Sequence, residues 1–328
     1  MGYLGPVIGL VVLALTAVDV VMTAFGPGRG RGPLLGPVDR TVSWITLRVR
    51  SRRVIVWAGP LLAALTTPIW LAAVWVGWAL VFQLSGSVVT ATTRQPTGGW
   101  EKAYFAGETL ITLGSGEYVP GGPGWQALAV LAAASGFIVV TLGLSYLTSL
   151  LSAVLKRRSA ASRIRSLGAG PVRICLAGWN GHDMQRLDAE LGSLSSALTE
   201  VSQQQLAHPT LRHFHSADRN SAFGPALAGL DEALTIIGCA LPAGCGPNPV
   251  AVAQVRSAIE ALLQEEAPGE GREPPPPDLG PLRDAGLPVA DDARFRAELR
   301  RLGRRRRELR LLVEHDGWTW ADVDRDSS

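Results

Sequence analysis

Up to about residue 156, long and nearly uncharged apolar runs alternate with short polar segments, and beyond it apolar residues return singly among charges at helical spacing. Three runs, Tyr3 to Phe25, Val54 to Leu84 and Trp125 to Leu155, exceed the roughly twenty residues that a helix needs to cross a bilayer core about 30 Å thick. The second and third exceed that need, which predicts tilt or extension beyond the bilayer. Between them, Ser85 to Gly124 holds a shorter helix-compatible run, Trp100 to Ile111. Such a run cannot span, but it can enter and return where protein surrounds it. Farther on, Met184, Leu187, Leu191, Leu194, Leu198 and Val201 recur at alternating steps of three and four, the seam of a short coiled coil. That seam packs either between copies or within its own chain, the latter favoured because more helices follow, near Ala222 to Ala240, near Pro249 to Glu266 behind an Asn248 cap, and near Asp292 to His315. The stretch 267–290, with Pro274 to Pro277 at its centre, predicts a disordered or polyproline linker. The expected fold is an all-α membrane protein with three transmembrane helices, one re-entrant helix and a helical C-terminal region. Its segments are 1–53, 54–158, 159–266, 267–290 and 291–328.

Charge orients this pattern. Hydrophobic residues make up 47% of the chain and charged ones 18%, low for a soluble protein. Arg29, Arg31, Arg40, Arg48, Arg50, Arg52 and Arg53 face one acid, Asp39, between the first and second runs, and Lys156, Arg157, Arg158, Arg163 and Arg165 follow the third. Both clusters belong on the cytoplasmic side, which leaves the N-terminus outside and the C-terminus in the cytoplasm of a multi-pass protein of the cell membrane. The start, Met-Gly-Tyr-Leu-Gly, has no basic side chain and Ala24-Phe25-Gly26 is a poor cleavage site, so the first run is a retained span rather than a signal peptide. Asp19 within it is costly in lipid and is expected to bond Thr16, Thr23 or a neighbouring helix, with a proton-sensing role as the second reading. No span repeats arginine at every third position, so no voltage sensor is indicated.

Other chemistries find little support. A net charge of +3 argues for no nucleic-acid partner. Cys175, Cys239 and Cys245 have no metal or disulfide spacing and read as reduced thiols. His208, His213 and His215 match no ligand pattern, so no structural metal site and no cofactor are expected. Gly168-Ala169-Gly170 lacks the third glycine of a dinucleotide fingerprint. No nucleophile stands with a base, so an enzyme is not expected, and three spans leave no room for the paired repeats of a secondary transporter. Arg304 to Arg307 form a basic run suited to anionic lipid or to a solvated helix face.

Residues 112 to 117 read Thr-Leu-Gly-Ser-Gly-Glu, preceded by Tyr104-Phe105-Ala106-Gly107-Glu108-Thr109 and followed by Pro120 and Gly136. This set resembles the pore signature of potassium channels, most often Thr-Val-Gly-Tyr-Gly-Asp, in the simple bacterial form with two spans and a pore loop, here with an extra N-terminal span. The resemblance covers roughly residues 54–155. It implies a selectivity filter in which K⁺ is held by Thr112, Leu113, Gly114, Ser115 and Gly116, whose carbonyls, contributed by four copies, replace the ion's water shell. It implies a homotetramer in the lipid bilayer, and a carboxyl pair, Glu108 and Glu117, sharing a proton or a water behind the filter. The alternative for Glu117 is a charge at the outer mouth that concentrates cations. Gly136 takes the place of the inner-helix hinge, or serves close helix packing. Phe137, Thr141, Leu144, Ser145 and Thr148 share one face of the third span and would line a cavity, unless the hydroxyls bond only their own helix. Ser115 departs from the usual tyrosine, leaving a space that Trp100 or Tyr118 could fill in part. The implied function is a passive potassium channel, with a weakly selective sodium/potassium channel or a non-conducting membrane sensor as alternatives; no ligand of the cytoplasmic helices is indicated.

Overall fold

The computed structural model describes residues 3–25, 32–48, 52–264 and 271–324, and divides into two compact units, Met1–Arg48 with Pro60–Leu150 and Val49–Gly59 with Leu151–Ser328. Arg29, Arg31 and Arg50 of the first basic cluster, and 267–270 of the expected linker, lie outside the described residues.

The first unit is built on the three expected spans. Helix α1 is Leu4–Phe25, α3 is Arg52–Val81 and α5 is Pro123–Leu167. Pro60 and Pro68 lie inside α3, each removing one backbone donor, and the helix continues through both. α1 and α3 approach closely at Gly9 and Gly77, where a side chain on Gly9 would stand 2.5 Å from the Gly77 carbonyl oxygen. The basic connection between α1 and α3, read from sequence as a loop, contains helix α2, Leu35–Arg48. Asp19 holds it there: buried in α1, it accepts bonds from the Leu34 and Leu35 backbone N–H groups at 2.7 and 3.1 Å and from Trp70 Nε1 at 2.7 Å. The spare donors at the start of α2 and an indole of α3 thus take up the acid's lone pairs, the structural one of its two expected roles. Thr16, one of its expected partners, instead donates to the Val12 carbonyl.

Between α3 and α5 lie strand β1, Val88–Thr90, helix α4, Gly99–Leu110, and strand β2, Tyr118–Pro120. The strands pair antiparallel, Val88 opposite Pro120 and Thr90 opposite Tyr118, and close the neck of the segment that holds α4. α5 has 45 residues, so it is about 68 Å long, more than twice a bilayer core, and its helix runs on through Lys156, Arg157 and Arg158 instead of stopping near Leu155.

In the second unit follow α6, Pro171–Gly178, α7, Asp188–Ala207, α8, Phe223–Ala240, α9, Pro249–Gln264, α10, Gly280–Asp284, α11, Asp292–Leu299, α12, Gly303–His315, and α13, Ala321–Asp324. The coiled-coil seam is spent inside the chain: Leu191, Leu194, Leu198 and Val201 are buried in the same core as Val255, Ile259 and Leu262 of α9. α8 is long and apolar enough to cross a membrane, but its apolar window is 89% buried by protein, which makes it the central helix of this core.

Two expectations fail here for one reason. Residues 271–290 are no free linker: Leu279, Leu282 and Leu287 enter the core and the Ala290 N–H bonds the Ala240 carbonyl at 2.7 Å. The arginine run is neither a lipid-facing nor a solvated face throughout. Arg305 bonds Asp231 and Glu260, and Arg306 grips Glu232 at 2.7 and 3.2 Å while donating to the Pro275 carbonyl at 2.7 Å. Two adjacent carboxylates on an otherwise apolar α8 demand charged partners once buried, and these arginines supply them.

Candidate functional site

α4 is positioned from α3. Phe105 is buried edge-on against Phe82, ring centroids 5.3 Å apart, and Trp75 Nε1 donates to the Ala103 carbonyl at 2.9 Å. Lys102 turns back to the Gln83 and Leu84 carbonyls at 3.3 and 3.1 Å, in the turn that follows α3. At the other end, Gly136 lets α5 touch the end of α4: a methyl there would stand 2.3 Å from the Leu110 carbonyl oxygen. α5 runs unbroken through this position, where the glycine permits close approach.

The chain leaves α4 on three short bonds, Ile111 N–H to Gly107 O at 3.2 Å, Thr112 N–H to Thr109 O at 3.2 Å and Leu113 N–H to Glu108 O at 2.8 Å. From there the backbone alternates. Thr112, Gly114 and Gly116 have φ of 55°, 58° and 76°, whereas Leu113 and Ser115 between them stay at negative φ. Glycine enters the left-handed region freely, but a β-branched threonine there is a strained outlier at a cost of about 1–3 kcal/mol. A backbone that alternates in hand turns successive peptide planes and can bring neighbouring carbonyls to a common side. Residues 112–117 are exposed in the single chain.

Behind this segment, buried Glu108 accepts from the Ser115 N–H at 3.2 Å and from the Ser115 hydroxyl. Glu117, the other member of the expected carboxyl pair, is exposed, and its carbonyl accepts from the Ala91 N–H at 2.9 Å. Trp100 is 72% exposed in the single chain, and Tyr118 packs on Tyr104. The Glu108 carboxyl reaches the serine. On α5, Phe137, Thr141, Leu144, Ser145 and Thr148 share an exposed face. Thr141 and Thr148 donate to the Phe137 and Leu144 carbonyls at 2.8 and 2.9 Å. Their protons are thus used within the helix. Sequence reasoning missed the Ser115–Glu108 bond, Trp75, Lys102 and the β1–β2 neck, none of which carries a local signal.

Residues 69–153 match the family described as "Ion channel", a stretch that runs from α3 through β1, α4, the irregular segment 112–117 and β2 into α5. Over 331 residues the chain is 31% identical to the uncharacterized membrane protein YdjJ of Bacillus subtilis (strain 168), covering 97% of this chain and 95% of the relative. No solved structure matches.

Proposed function

This chain belongs to the pore-loop ion-channel family of membrane proteins, and we propose that four copies form a channel conducting monovalent cations passively, with potassium preferred. The observation that carries this proposal is the alternation of backbone hand at Thr112, Gly114 and Gly116. The carbonyls of one chain supply only part of a cation's coordination shell, and four copies around a common axis beside this segment complete it. K⁺ would bind at the carbonyls of Thr112, Leu113, Gly114, Ser115 and Gly116 as the permeating substrate. α4 directs the negative end of its dipole toward the cavity behind the filter. Phe137, Thr141, Leu144, Ser145 and Thr148 would line that cavity, where hydroxyl oxygens suit a hydrated cation. The arginines flanking the spans favour an N-terminus outside and a second unit in the cytoplasm. Exposed Glu117 would stand at the outer mouth.

Weak sodium/potassium selectivity is the second reading, favoured by a serine where a tyrosine ring would stiffen the wall. The Glu108 bond to Ser115 supports the first, because it braces the segment by another route. Gly114→Ala tests the filter assignment in liposome flux. A methyl at φ 58° opposes the left-handed backbone, so flux should be abolished while insertion and assembly persist. Surviving flux would remove residues 112–117 from the conduction path.

A further inference from the structure

Past its apolar stretch α5 carries Arg157, which is 6% exposed although a basic residue at the end of a span ordinarily reaches for water or headgroups. Its guanidinium donates to the Leu211 carbonyl at 2.8 Å, to the Phe214 carbonyl at 3.3 Å and to Asp316 Oδ1 at 3.2 Å, and lies 5.0 Å from the centre of the Phe223 ring. Asp316, at the end of α12, is tied in turn to His215 Nδ1 at 3.2 Å and to the Gly224 N–H at the start of α8 at 2.7 Å. One arginine of α5 is thereby fastened to the loop between α7 and α8 and to the last long helix of the chain.

The same loop also grips α3. Gly59 lies so close that a methyl there would stand 2.6 Å from the His213 carbonyl oxygen and 2.8 Å from the Phe214 ring. His213 and Phe214 thus touch the beginning of α3 while Leu211 and Phe214 hold the extension of α5. These two helices lead directly into the stretch matched by the ion-channel family.

We propose that residues 208–216 form a coupling clamp through which the C-terminal helical unit restrains the pore helices, with Arg157 as its fastening and Gly59 as its second hold. The proposal rests on the channel reading for its consequence, and on the packing of this unit alone for its mechanics. A displacement of α7, α8 or α12 reaches this loop by rigid contacts and moves the ends of α3 and α5 together. α5 is unbroken over its full length, so the fastened arrangement is the restrained one, and release permits α5 to bend or shift and raises conduction.

Two variants test this in the full-length protein, Arg157→Gln and Gly59→Ala. The first removes the planar fork and leaves Asp316 without its cation, which endangers folding. The second favours the helix of α3 while driving a methyl into the loop, so it keeps the proposal decidable if the first variant fails to fold. In proteoliposomes each folded variant should raise cation flux about fivefold or more, the scale of a coupling between sites, with the potassium-to-sodium permeability ratio unchanged. Flux unchanged or lowered in Gly59→Ala, or a changed permeability ratio, overturns the clamp. Hydrogen exchange supplies a readout independent of conduction. Gly59→Ala should speed exchange both in residues 209–216 and in residues 151–163 of α5; a change confined to the loop overturns the coupling even where flux is not measurable. A wild-type protein without flux counts against the channel reading, and the exchange result still decides the clamp.

Discussion

Ser115 stands where the resembled signature carries a tyrosine, and its hydroxyl and N–H both meet the buried Glu108 carboxyl. A hydrogen bond contributes about 0.5–1.5 kcal/mol, and losing its donor leaves the buried carboxyl partly unsatisfied at a cost of about 1–3 kcal/mol. On the channel reading, Ser115→Ala should therefore lower the potassium-to-sodium permeability ratio by roughly tenfold, whereas Ser115→Thr, which keeps the hydroxyl, should preserve most of it. Ser115→Tyr is expected to bring no gain, because the ring would displace the bond already bracing the segment. Bi-ionic reversal potentials measure all three, and an unchanged ratio in Ser115→Ala would rule out the brace. Thr112, the strained residue of the segment, is the clearest sign that backbone geometry here serves function before stability.

Among elements, the end of α12 is fastened by one acid, Asp316. Burial alone would raise the carboxyl of Asp316, but Arg157, His215 and the Gly224 N–H hold it from 3.8 down to about 2. Because its folded value lies below its unfolded one, its contribution to stability, on the order of 2 kcal/mol, is complete above about pH 4 and is lost as the pH falls through about 2. Acid titration of helix content in detergent should show Asp316→Asn less stable than wild type at neutral pH, with the gap closing toward pH 2. A gap independent of pH would mean the acid acts by shape alone. The elements legible in sequence were those with a local signature: the lengths of α1, α3 and α5, the short run of α4, and the glycine alternation before Glu117. What escaped depends on partners distant in the chain. Nothing in the composition of Leu35–Arg48 marks α2, because its start is satisfied by Asp19, fifteen and sixteen residues before Leu34 and Leu35. The 271–290 strap looks like a linker until Arg306, thirty-one residues after Pro275, claims its carbonyl. Glu108 was legible as a buried carboxyl beside the filter, but its bond to Ser115 turns on the path of the backbone after α4.

For the whole molecule, similarity to YdjJ covers 97% of the chain, so the relationship takes in the C-terminal helices as well as the pore segment. A helical unit held together by buried Arg–carboxylate pairs, as at Arg305 and Arg306, is suited to transmit movement as a body rather than to deform. Burial also pushes the Cys175 thiol in this unit up to about 12, which leaves it a packing residue rather than a reactive one. The most direct measurement is the reversal potential of the purified full-length protein in a planar bilayer under a potassium gradient with sodium on the dilute side. A selective carbonyl filter at residues 112–116 predicts a potential close to the potassium equilibrium value. A potential near zero would place the protein with weakly selective cation channels, and an absence of current from inserted, tetrameric protein would contradict conduction altogether.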